Sequence, residues 1–261
     1  MIKYDENLLN LLESEIFESS SFIEILKIFP DLTSTEAYEI RQQIVSRRLL
    51  LGDSLVGYKV AGSNINVRKQ EHVEGPIVGC ILNSRVFHAH SPISLQSNNL
   101  AIEAEVGILL KHNLKGPGVT LLDAYYATET IFPAFEILVP LHKNTKPSHQ
   151  SRIIASNFRG AFVFGGSPVL PHGIDLRLEG MSLFINDTPM VSSTGVEVLG
   201  NPMNALPLVA NTLSTIGQEL KAGMIVMTGS IAPNIYVKAG DKVEAVFSSI
   251  GGISINFASL T

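Results

Sequence analysis

The chain has 261 residues, 45% hydrophobic and 16% charged, with a formal net charge of −5. That is ample apolar sequence for a large core, and the lack of any long basic run argues against a nucleic-acid partner. The single cysteine, Cys80, excludes an internal disulfide and a CxxC metal site and points to a reducing compartment, the cytoplasm.

The N-terminal "MIKYDENLLNLLESE" mixes acids among leucines, with no apolar core or small-residue cleavage site, so no signal peptide is expected. No stretch approaches the ~18 uninterrupted apolar residues of a membrane span, and no membrane partner is expected. The first fifty residues read as helix. Leu8, Leu11, Leu12 and Ile16 fit one amphipathic stripe, and "FIEILKIFP" makes a short second element stopped by Pro30. In "LTSTEAYEIRQQIVSRRLLLGD", Thr33 followed three residues later by Glu36 is a capping-box signal. Ala37, Ile40 and Ile44 lie on one stripe there, with Gly52 near the stop.

From about residue 55, short β-type runs alternate with Gly, Pro and Asn turns. "SLFINDTPMVSS" reads as a hairpin turning at Asn186–Asp187, and "SSIGGISINF" as another at Gly251–Gly252. One long helix interrupts the strands, "MNALPLVANTLSTIGQEL", striped by Leu206, Val209, Ala210 and Leu213. The expected fold is α+β, with a helical segment over residues 1–54 and a β-rich domain over 55–261 forming one structural unit.

Within "AIEAEVGILL", Ile102, Ala104, Val106, Ile108 and Leu110 share one apolar face. The opposite face carries Glu103, Glu105 and then Gly107. Glu136, in "IFPAFEILV", is a third acid inside a strand-like apolar run. Like carboxylates ~4 Å apart repel by about 1 kcal/mol in water and about 4 at an effective dielectric near 20. Burying three therefore calls for protonation, a Lys or Arg partner, or a divalent cation. An all-oxygen set suits Mg²⁺ or Mn²⁺ better than zinc. On spacing alone, the pair reads sooner as the solvated face of an antiparallel strand, and Glu136 brings the two readings level.

The segments "TSTEAYEIRQQIVSRRLLLGDSLVGYKVAG", "AIEAEVGILL", "PAFEIL", "FVFGGSP", "LGNPMNALPLVANTLSTIGQELKAGMIVMTGS" and "GDKVEAVFSSIGGISINF" follow in order along the chain. Together they resemble the 2-keto-4-pentenoate hydratase / 4-oxalocrotonate decarboxylase family of the fumarylacetoacetate hydrolase superfamily. The resemblance runs over roughly residues 33 to 257. It implies a mixed β-roll preceded by helices, and a divalent metal, Mg²⁺ or Mn²⁺, held by Glu103, Glu105 and Glu136. It further implies a small-molecule 2-oxo or 2-hydroxy-dienoic acid substrate whose dienolate the metal stabilises as a Lewis acid. The low charged fraction points to surface buried in a subunit interface, hence a homo-oligomer; a complex with an enzyme of the same pathway, aromatic catabolism, is expected too. Lys59, in "GYKVAG", matches the family's lysine, for charge stabilisation or proton transfer aided by a depressed pKa; the alternative is a strand-end lysine reaching solvent. Thr228, Gly229 and Ser230 would offer hydroxyls and backbone N–H groups to substrate oxygens, or simply form a strand-to-loop turn. Gly165 and Gly166 would let backbone approach the pocket.

Two segments depart from the family pattern. Where the family has an acid in "P-D-x-G", this chain reads "EHVEGPIVG", with His72 and Val73 in place of the proline and the acid and Glu74 one position along. A one-residue shift in extended chain reverses side-chain direction, so Glu74 does not automatically substitute. Where the family has "D-N-x-S", this chain has "ASNF", followed by Arg159, which either pairs bidentately with a substrate carboxylate or stands on the surface. His72 and Glu74 are candidate catalytic groups. The leading expectation is a metal-dependent lyase that hydrates a 2-oxo/2-hydroxy-alkenoic acid, with a monoacid favoured by the scarcity of extra cations. Alternatives are decarboxylation of a 2-oxo-enedioate, acylpyruvate-type C–C hydrolysis or tautomerisation, and a non-catalytic partner subunit.

Overall fold

The computed structural model describes residues 6–17, 24–71, 74–89, 92–94, 100–139, 147–155, 158 and 160–258. Helix α1 (Glu6–Phe17) buries Leu9, Leu12 and Ile16. The stripe is rotated from the expected one, and Leu11 is 48% exposed. The expected second element is a single 3-10 turn, Ile25–Lys27, capped by the Glu24 side chain. Helix α2 (Ser34–Leu50) begins at the expected capping box: Glu36 N–H donates to Thr33 Oγ1 at 3.2 Å, and Thr33 N–H to Glu36 Oε2 at 2.8 Å. It buries Ala37, Ile40 and Ile44, and Gly52 follows with φ +93°.

The larger sheet contains β1 (Leu55–Ala61), β2 (Ile77–Leu82), β3 (Val86–His88), β4 (Leu100–Leu110), β5 (Thr128–Leu138), β6 (Ala161–Phe164), β9 (Ile225–Ser230) and β10 (Ile235–Val237). Its order is β2-β1-β9-β4-β5-β6-β3, with β10 also on β4. A second sheet holds β7 (Gly180–Ile185), β8 (Thr188–Thr194), β11 (Lys242–Phe247) and β12 (Gly251–Asn256), ordered β12-β11-β7-β8. Short helices α3 (Ile65–Glu71), α4 (Leu121–Ala127) and α5 (His149–Ala155) join strands of the larger sheet. Helix α6 (Ala205–Ser214) precedes β9.

Both expected hairpins are present. Asn186 and Asp187 have φ of 50° and 62° between β7 and β8, the primed-turn geometry these residue types tolerate. The second turn lies earlier than expected: Phe247 pairs with Gly251, so residues 248–250 form the loop and Gly251 takes φ +88°. The long helix is shorter than its sequence pattern, yet Leu206, Val209, Ala210 and Leu213 are all buried.

The larger sheet is curled. Ile81 of β2 and Phe162 of β6, from opposite ends of the strand order, share an apolar cluster with Phe132, Ala134 and Met227. The other face carries the main core, where Leu9, Ile40, Val106, Leu206 and Ile253 belong to one cluster. The helical segment and both sheets therefore close over the same interior. At β2, Val78 N–H donates to Tyr38 Oη at 3.0 Å, and the Val78 carbonyl accepts from Arg41 Nη1. Helix α2 thus covers an edge that would otherwise present unpaired backbone.

Candidate metal centre on the concave face

β4 alternates as its sequence requires. Ile102, Ala104, Val106, Ile108 and Leu110 lie in the main core, and Glu103, Glu105 and Gly107 face the concave side. Register with β5 sets Glu103 opposite Glu136, Glu105 opposite Ala134, and Gly107 opposite Phe132. One carboxylate oxygen from each of Glu103, Glu105 and Glu136 lies within 4.8 Å of the others. Glu105 and Glu136 are fully buried.

Two further elements complete the cluster. On β9, Ser230 pairs with Glu105 but Met227 pairs with Gly107, so the register carries an extra residue, a β-bulge. The bulge turns the Gly229 N–H onto Glu105 Oε2 at 2.8 Å. Gly229 has φ +105°, and a Cβ there would lie 2.2 Å from Ser63 Oγ, so only glycine fits. Thr228 Oγ1 donates to the Val106 carbonyl at 3.1 Å, closing the gap the bulge leaves in the ladder. From β1, Lys59 is 3% exposed and places Nζ 2.6 Å from Glu136 Oε2.

Burial alone would push the Lys59 ammonium down, but Glu136, Glu103 and Glu105 together outweigh it and hold it above its ordinary value. The direction is opposite to the depressed pKa that would aid proton transfer, because the three acids favour the charged ammonium. Burial, followed by repulsion from Glu136, pushes the Glu105 carboxyl well above the usual range, against the opposing pull of Lys59. Its Oε1 atom is buried with no hydrogen-bond partner. One lysine does not offset three carboxyl groups, so Glu105 is driven towards its neutral form, and its buried oxygen without a donor is an atom that a hard cation can satisfy. The donor set therefore suits Mg²⁺ or Mn²⁺.

Gly107, with no side chain, leaves a gap on the acid face of β4. That space is filled: a Cβ there would meet the Phe132 ring at 2.2 Å. Gly166 is exposed with φ +69°. A side chain on it would strike Pro133 at 2.8 Å and the Gly252 carbonyl at 3.0 Å. Its small size thus serves the contact between β5 and β12. The Ser230 hydroxyl donates to the Ala232 carbonyl, and the Thr228 hydroxyl is held by Val106. Glu74 is exposed, and its electrostatic neighbour is His149, whose imidazole is lowered mainly by burial while Glu74 pulls it back up. His72, Val73 and Arg159 lie outside the described residues. The Gly229 N–H, expected from the sequence to face a substrate oxygen, is turned onto the Glu105 carboxylate instead.

No family model matches the chain. It is 30% identical over 232 residues to the 2-keto-4-pentenoate hydratase of Paraburkholderia xenovorans, covering 88% of this chain and 86% of the relative. It is 32% identical over 231 residues to the 2-hydroxyhexa-2,4-dienoate hydratase of Comamonas testosteroni, covering 87% and 88%. Among solved structures, 4-oxalocrotonate decarboxylase from Pseudomonas putida, complexed with magnesium and adipate, superposes with a TM-score of 0.84 at 26% identity over 96% of both chains.

Proposed function

The chain belongs to the 2-keto-4-pentenoate hydratase / 4-oxalocrotonate decarboxylase family, and from that premise we propose that it is a divalent-metal-dependent hydratase of 2-oxo/2-hydroxy-alkenoic acids. The observation that carries this reading is the convergence of Glu103, Glu105 and Glu136, with Glu105 Oε1 buried and unpartnered. These three residues would hold Mg²⁺ or Mn²⁺, which when bound supplies Lewis-acid polarisation of the substrate's carboxylate and 2-oxygen. The Gly229 N–H orients the Glu105 carboxylate by fixing one of its oxygens. Lys59 Nζ, with one N–H directed at Glu136, retains two more to hold a proton or stabilise charge at the substrate's 2-oxygen. The closed floor of Ile81, Phe132, Phe162 and Met227 excludes water from beneath the site. Proton handling at the far carbon is assigned to Glu74, with His72 beside it in sequence. Ser230, Thr228, Gly166 and Arg159 are the proposed substrate-side residues.

Decarboxylation is the second reading, favoured by the superposition on a decarboxylase. Hydration ranks ahead because the two hydratases above are 30% and 32% identical to this chain, against 26% and 27% for decarboxylases from Pseudomonas. We also infer a homo-oligomer, supported by the exposed Leu122, Tyr126 and Leu178 and testable by analytical ultracentrifugation. The cytoplasm and aromatic catabolism, in company with a pathway enzyme, complete the reading; Cys80 is a buried free thiol, compatible with that compartment.

The test is ultraviolet absorbance of 2-hydroxypenta-2,4-dienoate with EDTA-stripped protein, before and after Mg²⁺. Metal-dependent loss of the dienol band with appearance of 4-hydroxy-2-oxopentanoate is expected, and Glu105→Gln should abolish it together with metal binding. Unchanged metal affinity and turnover in Glu105→Gln would sink the metal-enzyme reading. Release of CO₂ from 4-oxalocrotonate, with no hydration of the monoacid, would move the assignment to the decarboxylase.

A further inference from the structure

We propose that Phe164 recognises the hydrocarbon end of the substrate, so that the site takes 2-oxo acids with one carboxylate and a short apolar chain. This rests on the metal-dependent reading above and adds its specificity. On the concave face Glu105 lies opposite Ala134, and Ala134 opposite Phe164, so these three residues form one row across β4, β5 and β6. With strands ~4.8 Å apart, the Phe164 backbone stands about 10 Å from that of Glu105. Only the methyl group of Ala134 lies between them on the row. The adjacent row runs Glu103, Glu136, Phe162. Phe162 is fully buried, whereas Phe164 is half-buried. Of the two rings beside the carboxylates, Phe164 is the one with surface to offer.

Its position is fixed from both sides. The ring packs edge-on to Phe132, centroids 5.8 Å apart and planes at 73°, and Phe132 fills the space left by Gly107. Just past β6, a Cβ on Gly165 would meet Ile253 at 2.6 Å, so the strand end is held against the second sheet. Phe164 is therefore a stiff aromatic wall on one side of the carboxylate cluster.

The other side is polar, with Ser230 opposite Glu105 and Lys59 Nζ on Glu136. The oxygens of a 2-oxo acid suit a hard cation at the carboxylates. The carbon chain is then stabilised where it can bury apolar surface, along Ala134 and Phe164. A second carboxylate there would lie against an aromatic ring and lose hydration, with His88 of β3, opposite Phe164, the next side chain along the row. Lys59, the cation at the carboxylates, already donates to Glu136.

The experiment measures binding of unreactive saturated 2-oxo acids to Mn²⁺-loaded protein by calorimetry, from pyruvate to 2-oxohexanoate, with 2-oxoadipate as the diacid. A separate Mn²⁺ titration reports on the metal site itself. In the wild type, affinity should rise by about fourfold per added methylene, and 2-oxoadipate should bind at least tenfold more weakly than 2-oxohexanoate. Phe164→Ala should cut the gain per methylene to less than twofold. Phe164→Arg, which leaves no cavity, should invert the preference towards 2-oxoadipate. Equal increments in wild type and Phe164→Ala, or no inversion in Phe164→Arg, with Mn²⁺ still bound, overturns the role of Phe164 and leaves the metal reading standing. Failure of the wild type to bind any 2-oxo acid in a Mn²⁺-dependent way removes both.

Discussion

Gly229 and Thr228 divide one task between them. The bulge they form turns a backbone N–H onto Glu105, and the Thr228 hydroxyl satisfies the Val106 carbonyl that the bulge would otherwise orphan. Replacing Gly229 by Ala forces a side chain onto Ser63 at a φ only glycine adopts freely. We expect Gly229→Ala to weaken Mn²⁺ binding at least tenfold by calorimetry, while far-ultraviolet circular dichroism stays native. Unaltered Mn²⁺ affinity would show that Glu105 does not need this donor. Thr228→Val should lower stability by about 1–3 kcal/mol in urea unfolding, the penalty for a buried carbonyl left unpaired. At this scale the sequence was informative about which side chains share a face, since alternation along β4 follows from the two-residue period alone. It was silent on what fills the space above Gly107, because that depends on the β4–β5 register, which brings Phe132 opposite it.

Among the elements, the capping box of α2 and the Asn186–Asp187 turn were legible because their chemistry is local. The stripe of α1 was misread by one position. Leu8, Leu9, Leu11 and Leu12 offer several overlapping stripes, and the choice of Leu9 over Leu11 is made by what the helix packs on. The 3-10 turn at Ile25–Lys27 is tied to α5 by the Glu24 carboxylate, which accepts from Ser148 N–H at 2.7 Å and from Ser151 Oγ at 2.9 Å. Burial alone would raise the Glu24 pKa, but the bonds from Ser148, Ser151 and Leu26 outweigh it and hold it low. A carboxyl lower in the folded than in the unfolded state stabilises above its unfolded value, and that stability is lost as pH falls through the folded one. Hydrogen exchange at residues 25–27 and in α5 should therefore accelerate below about pH 4.3, the ordinary glutamate value. Glu24→Gln should lower stability by about 1 kcal/mol at neutral pH and flatten that dependence. If wild type and variant respond to acid alike, the anchor lies elsewhere.

For the whole molecule, the carboxylate cluster links metal, proton and stability. Glu105 titrates higher in the folded chain than in the unfolded one. Without metal, its contribution to stability is present below the unfolded pKa and is lost as pH rises through the raised folded value. A cation binds the ionised form, so its apparent affinity should increase with pH and its binding should release protons. At a hundredfold excess over Kd, Mg²⁺ should add about 2.7 kcal/mol of stability. Thermal unfolding with and without Mg²⁺ across pH 5 to 8 checks this, and a metal-induced rise in Tm that does not grow with pH would contradict it.

The curled sheet also has a temporal consequence. Glu103, Glu105 and Glu136 stand on β4 and β5, which pair as neighbours, whereas β1 with Lys59 must wait for β9, Gly57 pairing with Ile225 across most of the chain. Contacts so distant in sequence form late and slowly. During synthesis the ribosome releases all three acids and their lysine well before the residues that orient Glu105 exist. The strand that orients Glu105 is thus the last part of the site to be made, and a competent metal site requires that β9 has docked.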